Sequence, residues 1–127
     1  VLNISNCPLL NVVNLGKNKS IKAFLLKNCR LSGIVQERIL RDFTPIKTNS
    51  MNTGVNFFRR EYSTVLDMRG NEIDWGNRRV SSKIRLLLCN NWMVLWDNPP
   101  PTSIIPVQMY AFFTNNLEDK LIKEYYG

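Results

Sequence analysis

The chain has 127 residues, 44% hydrophobic and 21% charged, which suits one globular domain that can bury a core without disulfide or metal staples. Its 17 Lys+Arg against 10 Asp+Glu give a net charge of +7, an argument about partners (nucleic acid, an anionic membrane surface) and not about fold. Histidine is absent, so the commonest general base, the commonest metal ligand and every Ser-His or Cys-His pairing are excluded.

Cys7, Cys29 and Cys89 are odd in number and far apart, which fits reduced thiols in an intracellular compartment, a virion included, better than a disulfide framework or a zinc module. No apolar run approaches the roughly 18–20 residues of a membrane span. A secretory signal is not recognised either. The first residue is Val1, so the expectation is a single basic domain over 1–127 that forms the core of a longer chain.

Val1 to Val13 is a short apolar lead-in broken by Pro8, as on a sheet edge. Ile21 to Lys27 predicts a strand. From Ser32-Gly33 the spacing of Val35, Ile39 and Phe43 predicts a helix over about 33–43, ended by Thr44-Pro45. Residues 46–53 have no periodicity. Val55 to Met68 is strand-like with a bulge at Arg59-Arg60-Glu61, and Ile73 to Trp75 is a short return strand. Val80 to Asp97 alternates about Asn90-Asn91 and predicts a central hairpin. Asn98-Pro99-Pro100-Pro101 is an extended crossover. Val107 to Phe113 predicts another strand. Asn115 with Glu118 makes a capping box, and Leu117, Leu121 and Tyr125 predict a C-terminal helix over about 116–126. No internal repeat is read. The expected fold class is α+β: a mainly antiparallel sheet of about five to seven strands with these two helices.

The six glycines never cluster into a phosphate-binding loop. Asp67, Glu72 and Asp74 flank one turn beside Arg69, Arg78 and Arg79, where acids serve as charge compensation. No catalytic residue, metal ligand, cofactor or small-molecule substrate is therefore expected, and the chain is read as not an enzyme.

Basic residues fall into clusters on predicted turns and strand ends: Lys17, Lys19 and Lys22; Arg59 and Arg60; and Arg78, Arg79, Lys83 and Arg85. Lys83 and Arg85 share one face of the expected strand. Phe57, Phe58, Tyr62 and Trp75 lie near these clusters and serve either as stacking platforms for bases or as core. The apolar Trp92, Met93, Trp96 and Tyr125 are candidates for an interface that supports self-association.

The function expected from these features is a non-enzymatic structural or binding module whose basic face engages a polyanion. RNA or single-stranded DNA, bound with little sequence specificity, fits best. The alternative is a self-assembling viral structural protein of the matrix or capsid kind on anionic membrane or nucleoprotein. Sixteen asparagines and no histidine in a small basic domain suggest it.

Overall fold

A computed structural model describes residues 1–10, 21–43, 64–90, 92–110 and 123–126. The segment from Ile21 sets the pattern. Ile21, Phe24, Leu26, Cys29 and Leu31 all enter one buried apolar cluster, yet the strand within this stretch is short, β2 (Ala23–Leu25). Past it the chain turns at Asn28 in the left-handed region, φ 59°, and drops Cys29 and Leu31 back into the core.

The same spacing recurs three times. Leu66, Met68, Asn71 and Ile73 repeat it around β3 (Thr64–Asp67). Leu2, Ile4 and Cys7 repeat it around β1 (Leu2–Asn3). Val94 and Trp96 repeat its Phe24 and Leu26 positions around β4 (Trp92–Leu95). In the sheet these equivalents lie side by side: Leu2, Phe24, Leu66 and Val94 are successive register partners.

The sheet has four strands in the order β1-β2-β3-β4, and every pair is parallel. Parallel neighbours need a long crossover. α1 (Gly33–Asp42) supplies one between β2 and β3, and α2 (Arg78–Cys89) another between β3 and β4. Both helices pack on the same face, since Ile39 and Leu40 of one and Val80, Ile84, Leu87 and Leu88 of the other join the cluster of Phe24, Leu66, Trp92 and Val94. The chain therefore winds in one direction, coil after coil, as solenoids do.

Hydrogen bonds repeat along with the coils. The amides of Ile4, Leu26 and Met68 donate to the carbonyls of Leu25, Asp67 and Leu95 at 2.9, 3.0 and 2.9 Å. Asn6, Asn28 and Gly70 occupy equivalent turn positions at φ 62°, 59° and 75°, a conformation that Asn and Gly tolerate best. Gly70 also lies so close to the Asn28 side chain that a Cβ would overlap it. Below each turn a side chain ties its coil to the one before. Cys29 Sγ donates to the Ile4 carbonyl at 3.1 Å. At the equivalent place Asn71 Nδ2 donates to the Leu26 carbonyl at 2.7 Å, and Asn71 Oδ1 accepts from the Leu31 amide at 3.0 Å. Pro99, the next position by spacing, is exposed and has no donor for this ladder. Asn98 takes over, accepting from the Ile73 amide at 3.0 Å and donating to the Ile73 carbonyl at 2.9 Å.

The antiparallel sheet of five to seven strands is thus corrected to a four-stranded parallel one of α/β character, and the repeat overlooked in the sequence organises it. The expected hairpin over 80–97 is the largest local error. Val80, Ile84 and Leu88 fit an alternating strand, and with Leu87 they fit a helical stripe at i, i+4, i+7 and i+8 equally well. Asn77 decides between the two by capping: its Oδ1 accepts from the amides of Arg79 and Val80 at 3.0 and 3.4 Å. Asn90 closes that helix instead of turning a hairpin, its amide donating to the Leu86 and Leu87 carbonyls. Ile73 to Trp75 is a turn, with the Trp75 amide on the Ile73 carbonyl at 3.0 Å. Val107–Met109 is a 3-10 turn and not a strand.

α1 occupies Gly33–Asp42, close to the span its apolar spacing predicts. Of the expected C-terminal helix, residues 123–126 are helical, and its earlier part lies outside the described residues. Among the described residues no helix is long and apolar enough to cross a membrane. The helical segment at 123–126 lies on the other face of the sheet: Tyr125 and Tyr126 pack against Ala23, Leu25, Val65, Met93 and Leu95.

Candidate functional site

The predicted basic face is described in part. Lys17, Lys19, Arg59 and Arg60, like the aromatic residues Phe57, Phe58 and Tyr62, lie outside the described residues. Lys22 is exposed just before β2. Arg78, Arg79 and Arg85 are exposed along α2. Lys83 does not share a face with Arg85, because the two are neighbours on a strand but diverge on a helix. It is half-buried instead, and its Nζ donates to the Phe43 carbonyl at 2.8 Å. Burial lowers its pKa, opposed by the charge of Asp42.

Arg38 and Arg41, which lay in no predicted cluster, are exposed on the adjoining α1. The two helices together hold Arg38, Arg41, Arg78, Arg79, Lys83 and Arg85 against Glu37 and Asp42. Arg79 reaches Glu37 across the helix pair at 3.8 Å with both groups partly in solvent, a contact of little energetic weight.

The predicted interface residues are largely core. Trp92 is fully buried, its ring edge-on to Phe43 with centroids 5.1 Å apart. Met93 is fully buried on the opposite face of the sheet. Trp96 is half-buried between Trp75 and Tyr110, at 5.5 and 5.1 Å. Trp75 is also buried, with Nε1 donating to the Asn98 carbonyl at 2.8 Å. Tyr125 is half-buried against the sheet.

The three carboxylates beside the turn do not converge. Glu72 and Asp74 are exposed while Asp67 is fully buried, and no group of three or more potential metal ligands occurs among the described residues.

Among the described residues Asp67 is a fully buried carboxylate. It ends β3 on the face lined by Ala23, Leu25, Val65, Met93 and Leu95, where a bare carboxylate would be strongly disfavoured. Four hydrogen bonds offset that cost. Arg69 supplies a bidentate fork, Nε to Oδ1 at 2.9 Å and Nη2 to Oδ2 at 2.7 Å, and its own amide reaches Oδ1 at 3.0 Å. This fork is local, joining the last residue of β3 to the turn that follows it.

The fourth bond comes from far away in sequence: the Tyr126 hydroxyl donates to Asp67 Oδ2 at 2.6 Å. Lys27 stands over the Tyr126 ring with Nζ 5.9 Å from its centroid, within cation–π range. Burial and the bond to Asp67 hold the Tyr126 phenol well above its ordinary pKa, with Ser5 pulling the other way. The hydroxyl therefore stays protonated and acts as a donor.

Spacing could have shown the Asp67-x-Arg69 fork. No local signal joins either residue to Tyr126. An open cleft of about 350 Å³ lies at the left-handed turns, lined by Asn6, Pro8, Asn28, Arg30 and Gly70.

Comparison of the chain with family models, with curated proteins and with solved structures finds no match.

Proposed function

We propose that the chain is a non-enzymatic binding module, a short solenoid similar to leucine-rich repeats, that recognises a polypeptide on its sheet face. Ile21-x-x-Phe24-x-Leu26-x-x-Cys29-x-Leu31 follows the leucine-rich signature, with Asn71 in the third coil at the position where that signature takes Asn or Cys. Fold likeness alone assigns no ligand. The observation that carries the reading is the sheet face itself: an apolar strip from three neighbouring coils on which a helical peptide segment, residues 123–126, is seated.

The test is selection of a random peptide display library on the immobilised full chain. Enrichment of peptides rich in aromatic residues is expected. Their binding should weaken in Lys27→Glu, at the rim of the face, and persist in Arg78→Ala/Arg85→Ala. A library that yields no binder, or binders indifferent to Lys27→Glu, overturns the reading.

The helix layer favours a second reading, polyanion binding. The helices carry six basic residues against two acids, five of the six exposed, on the side of the sheet away from the apolar strip. A labelled single-stranded RNA of about 20 nucleotides should then bind with log K falling against log salt by about 0.7 per phosphate contact. Arg78→Ala/Arg85→Ala should flatten that slope. Anionic vesicles run in parallel separate RNA from a membrane surface. Salt-independent or absent binding to both removes this reading.

A further inference from the structure

Tyr126 is not merely a cover for apolar strands. Its hydroxyl completes the shell of a fully buried carboxylate at 2.6 Å, and its ring lies under a lysine ammonium at 5.9 Å beside the apolar strip of the sheet. A phenylalanine would satisfy the strip and the lysine but leave Asp67 Oδ2 one donor short. A phosphotyrosine would bring a dianion against Asp67 and remove the donated proton. The site thus distinguishes all three side chains by chemistry, and Asp67 and Arg69 are held from the sheet side by their fork.

We infer that the Asp67–Arg69–Lys27 constellation is a recognition site for an unmodified tyrosine presented by a partner peptide, and that Tyr126 is its ligand in cis. This rests on the reading of the sheet face as a peptide-binding surface and names the side chain that it selects. A tethered ligand acts at an effective concentration of up to about the millimolar range, so a partner in trans must displace the chain's own C-terminal residues. Binding in trans is therefore weak until that segment is released or its tyrosine is altered.

The experiment uses the full chain and fluorescein-labelled peptides with the sequence of residues 117–127. The peptide carrying Tyr126 should bind the Tyr126→Ala chain at least about tenfold more tightly than the unaltered chain. The same peptide with Tyr126→Phe should lose about tenfold, the order expected for one hydrogen bond to a charged group. The phosphotyrosine peptide should lose at least as much.

Equal binding of the Tyr and Phe peptides overturns the assignment, as does tighter binding of the phosphopeptide. If Tyr126→Ala fails to fold, the Tyr126→Phe chain takes its place in an alkaline absorbance titration. Burial raises the Tyr125 phenol as well, so loss of one late-titrating phenol relative to the unaltered chain supports the site, and an unchanged number of them overturns it. Library-selected peptides that bind while all three tyrosine peptides fail would remove this inference and leave the peptide-binding reading intact.

Discussion

The two faces of the sheet are built on opposite principles. Toward the helices, Phe24, Leu66, Trp92 and Val94 meet Phe43, Ile39, Ile84 and Leu87 in one apolar cluster, with Phe24 and Phe43 tilted at 5.0 Å and Phe43 edge-on to Trp92. That face gains its stability from area and packing, which are non-directional. Toward Tyr125 and Tyr126 the strip is narrower, and it encloses a carboxylate that a purely structural face would replace with a methyl group. Replacing a buried ion pair by well-packed apolar side chains is often neutral or stabilising, so the proposed recognition of tyrosine gives the pair a role that cohesion does not require.

Removing bulk from the cohesive face should have the largest effect. Phe24→Ala is expected to cost about 3–5 kcal/mol, read as a shift in the urea midpoint at unchanged slope. Asp67→Ala, on the selective face, should cost about 2–3 kcal/mol, because it strands the Arg69 fork and the Tyr126 hydroxyl. The double replacement Asp67→Leu/Arg69→Met sharpens the comparison. Stability close to that of the unaltered chain, with loss of discrimination between tyrosine and phenylalanine peptides, would show that the charge pair serves recognition. A double variant as unstable as Asp67→Ala would make the pair structural.

The ladder between coils lies next in size. Asn71→Ala should cost about 2 kcal/mol, since it leaves the Leu31 amide and the Leu26 carbonyl unpaired inside the fold. Asn71→Cys should cost visibly less, because Cys29 already makes the equivalent bond one coil earlier. Equal losses for the two variants would break the equivalence of the coils.

A smaller effect is expected from alkali. The folded phenol of Tyr126 titrates above its ordinary value of 10.0, first through burial and then through the bond to Asp67. A raised folded pKa means that this contribution is complete below about pH 10 and is lost as pH rises through the folded value. Asp67, Arg69, Ser5 and Lys27 face the hydroxyl and ring, and the two cations temper the loss. Thermal melts of the unaltered chain should therefore fall more steeply above pH 10 than those of Tyr126→Phe. Arg78→Ala and Arg85→Ala, exposed on α2, should change stability by no more than about 0.5 kcal/mol while they alter the salt slope of any RNA binding.

How much of this was legible depends on how local each feature is. α1 is visible because its apolar stripe and the Thr44-Pro45 stop lie within one short window. α2 sits in an equally short window and still misleads, since Val80, Ile84 and Leu88 satisfy both a strand and a helix until the Asn77 cap is weighed. The repeat was in principle readable: Phe24-x-Leu26-x-x-Cys29-x-Leu31 can be laid on Leu66-x-Met68-x-x-Asn71-x-Ile73 by eye. Uneven spacing hides it. The interval from Phe24 to Leu66 is nearly twice that from Leu2 to Phe24, and chains tolerate such insertions because loop closure costs only about 0.6 kcal/mol per doubling of length.

The charge balance, the exclusion of histidine chemistry, the span of α1 and the apolar residues available for a core all follow from the order of residues. Tertiary structure decided that the strands run parallel, that Cys29 and Asn71 do the same work in successive coils, and that Trp92 and Met93 belong to opposite sides of one sheet. It also decided that Tyr126 meets Asp67. The physical reason is common to all of these. Periodicity reports which face of an element is apolar, whereas register and the meeting of residues 59 positions apart depend on which buried surfaces fit together once the chain is wound.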